Sequence, residues 1–340
     1  MTRRTLVVRT DSNGDVLLAG PAVRAVARRS RVTLLVSPAG EQAGRLLPDV
    51  DEVLVWPCPW TGYDPPPVDV AGTFELVETI RAARFGDAVV LTSFHQSPLP
   101  MALLLRLAGV GRVTAVSADY PGALLDIRHT PAEGHEAERM LSVAAAAGYP
   151  AAPHDSGRLT VAGPLPSVPP GLPSGPFVVV HPGASVPARA PTPRLAARTV
   201  GALAAAGWGV VVTGGAGETG LTRFVAGTDG VDLGGRTDLA TLAAVLAAAR
   251  CVVVGNTGPA HLAAAVGTPV VSLFAPVVPS RRWSPWRVPH RLLGDQWAPC
   301  RDTRARHCPV PGHPCLARVR VEEVTAAVSA LTSARAEVVA

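Results

Sequence analysis

Four short and almost purely apolar runs recur in the second half of the chain. They lie at 177–181 (FVVVH), 208–213, 251–254 and 269–273. Each run has the length and composition of a strand that is buried on both faces. Alanine-rich segments between and around them predict helices at 194–206, 218–226, 238–250 and 259–266. Strands that alternate with short helices predict a parallel α/β sheet.

The first half of the chain shows the same alternation less clearly. It predicts strands at 6–8, 32–36, 88–91 and 113–116, and helices at 16–27 and 100–108. A segment with six prolines, GPLPSVPPGLPSGP at 163–176, separates the halves. Proline fixes φ and removes a hydrogen-bond donor, so this segment predicts a linker between domains 1–162 and 177–340. We therefore expect two doubly wound α/β domains that face a cleft, with ligands beyond the carboxyl ends of the strands.

The composition excludes several classes of protein. The chain has 340 residues, 48% of them hydrophobic and 17% charged, which excludes a disordered chain and a coiled coil. All 31 basic residues are arginine, so Schiff-base chemistry and a P-loop lysine are also excluded. The net charge of +5 is spread along the chain, which does not predict nucleic-acid binding but suits an anionic small molecule or a membrane surface. No apolar stretch reaches the ~20 residues of a membrane span, and we predict a cytoplasmic protein.

The segment after the first strand reads Asp11-Ser12-Asn13-Gly14-Asp15. Asp15 would lie at the mouth of the cleft, near a helix N-terminus, where its carboxylate could act as a general base on a hydroxyl group. Alternatively, Asp15 or Asp11 merely caps the helix. The residues alone leave both interpretations open and favour the cap.

Two loops of small residues follow buried strands in the second half. In Gly255-Asn256-Thr257-Gly258-Pro259-Ala260-His261, a helix begins at the proline, and its N-terminal N–H groups could bind a diphosphate, with His261 as a further donor. The second loop, His181-Pro182-Gly183-Ala184-Ser185, is followed by Arg189. Ser185 could contact the same phosphates, and Arg189 could neutralise leaving-group charge. A plain βα loop and a solvated arginine remain alternatives.

A third loop, at 215–220, has the pattern GxGxxG after a strand, with Asp232 downstream. This is the fingerprint of a dinucleotide-binding dehydrogenase. A complete βα unit precedes it, whereas the fingerprint belongs on the first strand. An NAD(P)-dependent oxidoreductase is therefore kept as an alternative function.

Near the C-terminus, Cys300, Cys308 and Cys315 lie close to His307 and His313. The separations lack the short C-x₂₋₄-C spacing of zinc sites, so structural thiols are favoured over a metal or redox site. A stretch with Arg281, Arg282, Trp283, Trp286 and Arg287 could close over a sugar or touch a membrane, or it could be a surface loop. We add peripheral contact with the inner face of the cell membrane as a hypothesis.

The order of these segments resembles glycosyltransferase family 9, the ADP-heptose:lipopolysaccharide heptosyltransferases. The resemblance runs from Asn13-Gly14-Asp15-Val16 through FHQSPLPMALLLRLAG at 94–109 and HPGAS at 181–185 to GNTGPAHLAAAVGTPVVSLFAP at 255–276. It implies a GT-B fold of two Rossmann-like domains, 1–162 for the acceptor and 177–340 for the donor, with the last helix packing back on the first domain. It also implies an inverting enzyme without metal or other cofactor, which moves a heptose-type sugar from an ADP-sugar.

The resemblance also implies roles for particular residues. Asp15 matches the catalytic base. The predicted donor-binding residues are Ser185, Arg189, Gly215, Glu218, Asn256, Thr257, Gly258, Pro259 and His261, with Glu218 on the ribose. The predicted acceptor-binding residues are Asn13, Gly14, His95 and Gln96.

Two positions depart from the family pattern, because Arg189 stands where lysine is usual and Asn256 where many members have aspartate. The all-arginine, alanine-rich composition is typical of a high-GC actinobacterial source, and such organisms generally make no lipopolysaccharide. The predicted acceptor is therefore a cell-envelope glycan, a glycolipid or a small molecule. A GT-B binding protein without catalysis is the remaining alternative.

Overall fold

The chain forms two compact units, Met1–Ala162 and Gly163–Ala340. The computed structural model describes residues 3–93 and 95–339, and their side chains as far as residue 333. Residues 163–176 contain turns and bends but neither helix nor strand. Each unit contains one six-stranded sheet in which every strand pair is parallel.

The N-terminal unit has the strand order β3-β2-β1-β4-β5-β6. Its elements are β1 (Arg4–Arg9), α1 (Asn13–Leu18), α2 (Gly20–Ala27), β2 (Arg31–Val36), α3 (Glu41–Leu46), β3 (Glu52–Val55), α4 (Val70–Ala83), β4 (Asp87–Val90), α5 (Leu99–Leu107), β5 (Arg112–Val116), β6 (Ile127–His129) and α6 (Glu136–Ala146). The two central strands, β1 and β4, are buried along nearly their whole length. Leu6, Val8, Ala88 and Val90 from these strands belong to one apolar core.

The C-terminal unit repeats this arrangement with the order β12-β11-β10-β7-β8-β9. Its elements are β7 (Phe177–His181), α7 (Pro193–Ala205), β8 (Gly209–Val212), α8 (Thr219–Ala226), β9 (Val231–Asp232), α9 (Leu239–Ala248), β10 (Cys251–Gly255), α10 (Gly258–Ala265), β11 (Val270–Leu273), α11 (Ser280–Trp283), β12 (His290–Leu293), α12 (Pro314–Ala317) and α13 (Val321–Val339). Helix α13 contacts α7 and strands β10, β11 and β12 of its own unit, and places Val324, Val328 and Leu331 in the core. Within the described residues, no helix combines the length and apolar character needed to cross a bilayer.

One predicted helix is two helices in the structure. The segment 16–27 was expected to be continuous, but α1 ends at Leu18 and α2 begins at Gly20, with Pro21 in its first turn. Proline has no N–H for an intrahelical bond, and its ring clashes with the carbonyl four residues earlier. The break therefore follows from Pro21.

Each sheet has a topological switch point, where the connections leave neighbouring strands in opposite directions. It lies between β1 and β4 in the N-terminal unit and between β7 and β10 in the C-terminal unit. Ligands of open parallel sheets bind beyond the carboxyl ends of the strands at such points. The loops after these four strands are therefore the places to look for a site.

Candidate functional site

The loop after β1 places Asp15 in the first turn of α1. Its side chain is 24% exposed, and its Oδ2 accepts a hydrogen bond from Ser12 Oγ at 2.9 Å. The N-cap residue of α1 is Ser12, whose side chain makes no cap hydrogen bond among the described residues. Neither aspartate is therefore the N-cap residue of this helix.

Arg9, the last residue of β1, is completely buried beside Asp15. Its Nη2 donates to Asp15 Oδ1 at 3.1 Å and to Ser93 Oγ at 3.0 Å, and its Nε lies 3.3 Å from Asp11 Oδ2. Gln96 completes a ring, because its Oε1 accepts from the Ser93 N–H at 3.0 Å and its Nε2 donates to Asp11 Oδ1 at 2.6 Å. These five residues are called the Arg9 ring below. The ring joins the ends of β1 and β4 at the switch point.

The four predicted acceptor-binding residues lie in different surroundings. Gln96 belongs to the Arg9 ring. Asn13 Oδ1 accepts from the Ala43 N–H at 2.9 Å, which links α1 to α3. Gly14 is buried in α1, and His95 is exposed in the loop after β4.

A cavity of about 340 Å³ opens at the carboxyl ends of β4, β5 and β6. Ser93 and Gln96 line one side of it. The other polar side chains of its lining are Ser117, Arg128, His129, Thr130, Glu136, Arg139 and the hydroxyl of Thr92. Burial, with a smaller contribution from Arg139, lowers the pKa of His129, so this imidazole is neutral near pH 7.

Sequence reasoning missed Arg9, Ser93, Glu136 and the cavity arginines. A charged residue that directly ends an apolar strand, as Arg9 does in LVVR, is the one local signal that points to the ring. Long charged side chains are almost never fully buried unless they are paired. Glu136 and Arg139 carry no comparable signal, because charged residues are common in a first helical turn.

In the C-terminal unit, His181 joins the end of β7 to the segment after β8, and Glu218 closes the loop after β8 on itself. His181 Nδ1 lies 2.9 Å from Thr213 Oγ1, and Glu218 Oε2 accepts from the Gly215 N–H at 2.8 Å. Burial lowers the pKa of His181, so it is neutral although Glu218 is near. A Cβ atom at Gly183 would overlap the Glu218 carboxylate, so a larger residue there would displace the end of that side chain.

The loop after β10 carries most of the predicted donor-binding residues. Thr257 is the N-cap of α10 and, within the described residues, makes no side-chain cap hydrogen bond, while Pro259 lies in the first turn. His261 is buried in the same helix. A Cβ atom at Gly255 would lie 2.5 Å from the carbonyl oxygen of Arg189, so the 3₁₀ turn at Pro187–Arg189 packs directly on this loop.

The remaining donor predictions lie around these loops. Asn256 is buried, and its amide pairs with both the N–H and the carbonyl group of Ala275, at 3.2 and 3.4 Å. Its side chain therefore fastens β10 to the segment after β11. Ser185 is exposed after β7, and Arg189 is half-buried. Gly215 and the rest of the GxGxxG segment follow β8 rather than a strand at the switch point, and form a 3₁₀ turn at Ala216–Glu218.

The C-terminal cysteines form a cluster of free thiols. Cys300 and Cys315 are buried, and Cys308 is half-buried. Burial, followed by the neighbouring thiols, raises the pKa of Cys315 to about 12, so this thiol is not a nucleophile near pH 7. Among the described residues, no three His, Cys, Asp or Glu side chains are arranged to hold a metal ion.

Several solved structures resemble this chain over nearly its whole length, and heptosyltransferases are among them. A family 9 glycosyltransferase from Veillonella parvula is 16% identical, with a TM-score of 0.76 and 97% of each chain covered. E. coli ADP-heptose lps heptosyltransferase II is 19% identical, with a TM-score of 0.73 and coverage of 98% of this chain and 99% of that one. E. coli heptosyltransferase WaaC with ADP-2-deoxy-2-fluoro heptose is 21% identical, with a TM-score of 0.71 and coverage of 96% and 99%. Among curated proteins, a sequence comparison finds no match.

These similarities confirm the predicted α/β fold of GT-B type. Residues 99–312 match the model of glycosyltransferase family 9 (heptosyltransferase), a range that includes the loops after β7, β8 and β10. This match supersedes the oxidoreductase alternative for the 215–220 segment. The chain belongs to glycosyltransferase family 9 and is a glycosyltransferase.

Proposed function

We propose that this glycosyltransferase is inverting and metal-independent, and that it transfers a heptose-type sugar from an ADP-sugar to a hydroxyl group of a glycan, a glycolipid or a small molecule. One observation carries the proposal. A partly exposed carboxylate, Asp15, lies at the switch point of the N-terminal sheet with hydrogen bonds to both of its oxygens. A carboxylate fixed in this way is suited to remove a proton from a bound hydroxyl group.

The proposed reaction is a single displacement. Asp15 takes the proton of the acceptor hydroxyl group, the acceptor oxygen forms a bond to the anomeric carbon, and the bond from that carbon to the diphosphate breaks. ADP leaves with the electron pair of that bond, and the configuration at the anomeric carbon is inverted.

The C-terminal unit supplies the donor site in this proposal. The partial positive charge at the N-terminus of α10, with Thr257 and Gly258, binds the diphosphate, and Arg189 and His261 stabilise its developing charge. Glu218, which is held by the Gly215 N–H, binds the ribose. The heptosyltransferase structures named above contain an ADP-linked ligand in one case, which supports an ADP-linked donor.

The acceptor is proposed to enter the cavity beside Gln96. This cavity opens next to the Arg9 ring and is lined by arginine, histidine and glutamate side chains as well as apolar ones. Such a lining suits a polyhydroxylated acceptor with a polar head.

The base is tested by replacing its carboxylate. Because the acceptor is unidentified, the assay measures ADP released when wild-type protein hydrolyses ADP-heptose with water as acceptor, with and without EDTA. Asp15→Asn should lower this rate about 10²- to 10⁴-fold while ADP still raises the melting temperature. Asp49→Asn is the matched control, since Asp49 is exposed with a φ of 65° that asparagine also tolerates. Full activity of Asp15→Asn, or loss of wild-type activity in EDTA, would contradict the proposal.

The donor is tested by thermal shift with ADP, GDP, UDP, dTDP and NADPH. A ligand at a hundred times its Kd stabilises the native state by about 2.7 kcal/mol, and we expect ADP to do so selectively. Gly183→Ala should abolish this shift by displacing Glu218, whereas Gly217→Ala should keep it, because a Cβ atom there meets no neighbour within 4 Å among the described residues. Wild-type protein that binds ADP but neither hydrolyses nor transfers from ADP-heptose would be a binding protein instead.

A further inference from the structure

A completely buried arginine at the end of β1 requires an explanation. Arg9 follows three buried apolar residues and has no exposed side-chain surface. Removing a guanidinium from water is unfavourable unless partners compensate, and an apolar residue at such a position is often equally stable or more stable. Packing alone therefore does not account for an arginine here.

The contacts of Arg9 converge on Asp15. One nitrogen, Nη2, reaches both Asp15 Oδ1 at 3.1 Å and Ser93 Oγ at 3.0 Å. Ser12 Oγ holds the other carboxylate oxygen of Asp15 at 2.9 Å. These two donors, one on each oxygen, orient the plane of the Asp15 carboxylate.

The rest of the Arg9 ring keeps the guanidinium in place. Asp11 Oδ2 lies 3.3 Å from Arg9 Nε, and Gln96 links Asp11 Oδ1 to the main chain of Ser93. The ring therefore ties the cation to the ends of both β1 and β4. A shift of Arg9 relative to Asp15 would have to break several of these contacts together.

We propose that Arg9 is the positioning residue of the base: its guanidinium, fixed by the ring, orients the Asp15 carboxylate and supplies the positive charge that keeps it ionised. This inference rests on the proposed role of Asp15. Arg9 itself is buried, so it acts on the reaction only through Asp15.

The charges around Arg9 and Asp15 favour Arg9 as the positioning cation and Asp15 as the base. Burial opposes the charge on Arg9, but the carboxylates of Asp11, Asp15 and Glu136 together raise its pKa, so it stays a cation. Burial raises the pKa of Asp11 although Arg9 is near, so Asp11 is a weaker acid than an ordinary aspartate. Glu136 of α6 has its own partner, Arg139, with 3.6 Å between Oε1 and Nε.

The charged residues of α2 and α3, which also pack on α1, have partners of their own. In α3, Glu41 and Arg45 pair with each other at 2.8 Å. In α2, Arg24 is bound to Asp155 at 2.7 Å. Among the described residues, the carboxylates that act on the Arg9 charge are those of Asp11, Asp15 and Glu136.

The test is a double-mutant cycle on ADP-heptose hydrolysis, measured across pH. Arg9→Met should lower kcat about 10²-fold, with KM for ADP-heptose unchanged, because the base is misplaced and the donor site is not. The acid limb of kcat/KM should move to higher pH, since a carboxylate without its cation is harder to ionise. Arg9→Lys should restore the acid limb but only part of kcat, because an ammonium lacks the guanidinium fork.

The cycle separates positioning from a general structural role. Arg9→Met/Asp15→Asn should be no slower than Asp15→Asn alone, because Arg9 has nothing left to position. Arg24→Met is the matched control. It removes a partly buried, ion-paired arginine of the same unit and should lower stability without changing kcat or the acid limb.

Each outcome has a distinct meaning. A further loss of rate in the double variant, or wild-type kcat and acid limb in Arg9→Met, would overturn the role of Arg9 alone. Full activity of Asp15→Asn would overturn the proposed function itself. If Arg9→Met does not fold, Arg9→Met/Asp11→Asn removes both charges together, and Arg9→Lys with full wild-type kcat would still contradict the inference.

Discussion

The two ends of the N-terminal sheet bury charge in opposite ways. Where β1 and β4 begin, a single buried carboxylate, Asp87, accepts hydrogen bonds from Arg112 Nε at 2.7 Å and from the Tyr149 hydroxyl at 2.6 Å. It also pairs with Arg3, and Thr5 Oγ1 lies 2.9 Å from the same hydroxyl group. Among the described residues, none of the buried side-chain polar atoms of this cluster lacks a hydrogen-bond partner.

Where the same strands end, a single buried cation faces several carboxylates. Arg9 lies among Asp11, Asp15 and Glu136. Within the described residues, Arg9 Nη1, Arg9 Nε and Asp11 Oδ2 make no hydrogen bond, although the last two atoms form an ion pair. Polar atoms that are buried without such bonds lower stability. The comparison indicates that the first end stabilises the fold and that the second gives up stability for the arrangement around Asp15.

The largest effect on stability is expected at the saturated end of the sheet, which is the end around Asp87 where β1 and β4 begin. Asp87→Asn should lower the free energy of unfolding by about 2–3 kcal/mol, because Tyr149 and Arg112 lose a charged acceptor. Its rate of ADP-heptose hydrolysis per folded molecule should be unchanged. Urea unfolding and the hydrolysis assay measure the two quantities, and a large loss of rate with intact stability would break the comparison.

The ion pair of Arg24 and Asp155 lies at neither end of the sheet and provides a reference for these effects on stability. Asp155 accepts from Arg24 Nε at 2.8 Å and Arg24 Nη2 at 2.7 Å, and these bonds lower the pKa of Asp155. The ionised Asp155 therefore stabilises the folded chain above its ordinary pKa of about 3.9. This stabilisation is lost as the pH falls through the lower pKa of the folded chain. Asp155→Asn should cost about 1.5–2 kcal/mol at pH 7. The difference from wild type should shrink near pH 3, and an equal difference at both pH values would show that the carboxylate charge does not matter.

A smaller loss is expected for one hydroxyl group of the saturated end. Tyr149→Phe keeps the ring but removes the link between Asp87 and Thr5. The free energy of unfolding should fall by about 1 kcal/mol, as for a single hydrogen bond. A loss as large as that of Asp87→Asn would mean that the arginines contribute little.

The smallest change in the free energy of unfolding, and the only gain among these variants, is expected at the end of the sheet around Arg9. Because burial raises the pKa of Asp11 in the folded chain, wild type loses stability as the pH rises above about 4. Asp11→Asn removes this loss and should be more stable than wild type by about 0.5–1 kcal/mol at pH 8, with a smaller gain at pH 5. Asp49→Asn is the control for the substitution itself. Destabilisation by Asp11→Asn at pH 8 would show that this end, too, is built for stability.

The sequence predicted the sheets better than it predicted the site. Runs such as 177–181 and 251–254 are buried on both faces, so their composition alone indicates strands. The half-buried β3 and the short β6 were missed because they show neither such a run nor clear alternation. The proline that ends α1 was visible in the sequence but was not used.

The donor loops were likewise easier to predict from the sequence than the Arg9 ring. The donor loops were recognisable because each lies within a few consecutive residues. The ring joins Arg9 to Ser93, 84 positions away, and its connection depends on β1 lying next to β4. No local pattern encodes that neighbourhood, so Arg9 could not be assigned a role before the strand order was known.

The overlap between a Cβ atom at position 183 and the Glu218 carboxylate couples two separate loops. A larger residue at 183 needs the space that the end of the Glu218 side chain fills, so that side chain would have to move away. A transplant of the 181–185 loop into another scaffold therefore keeps its present packing only if residues 213–218 move with it.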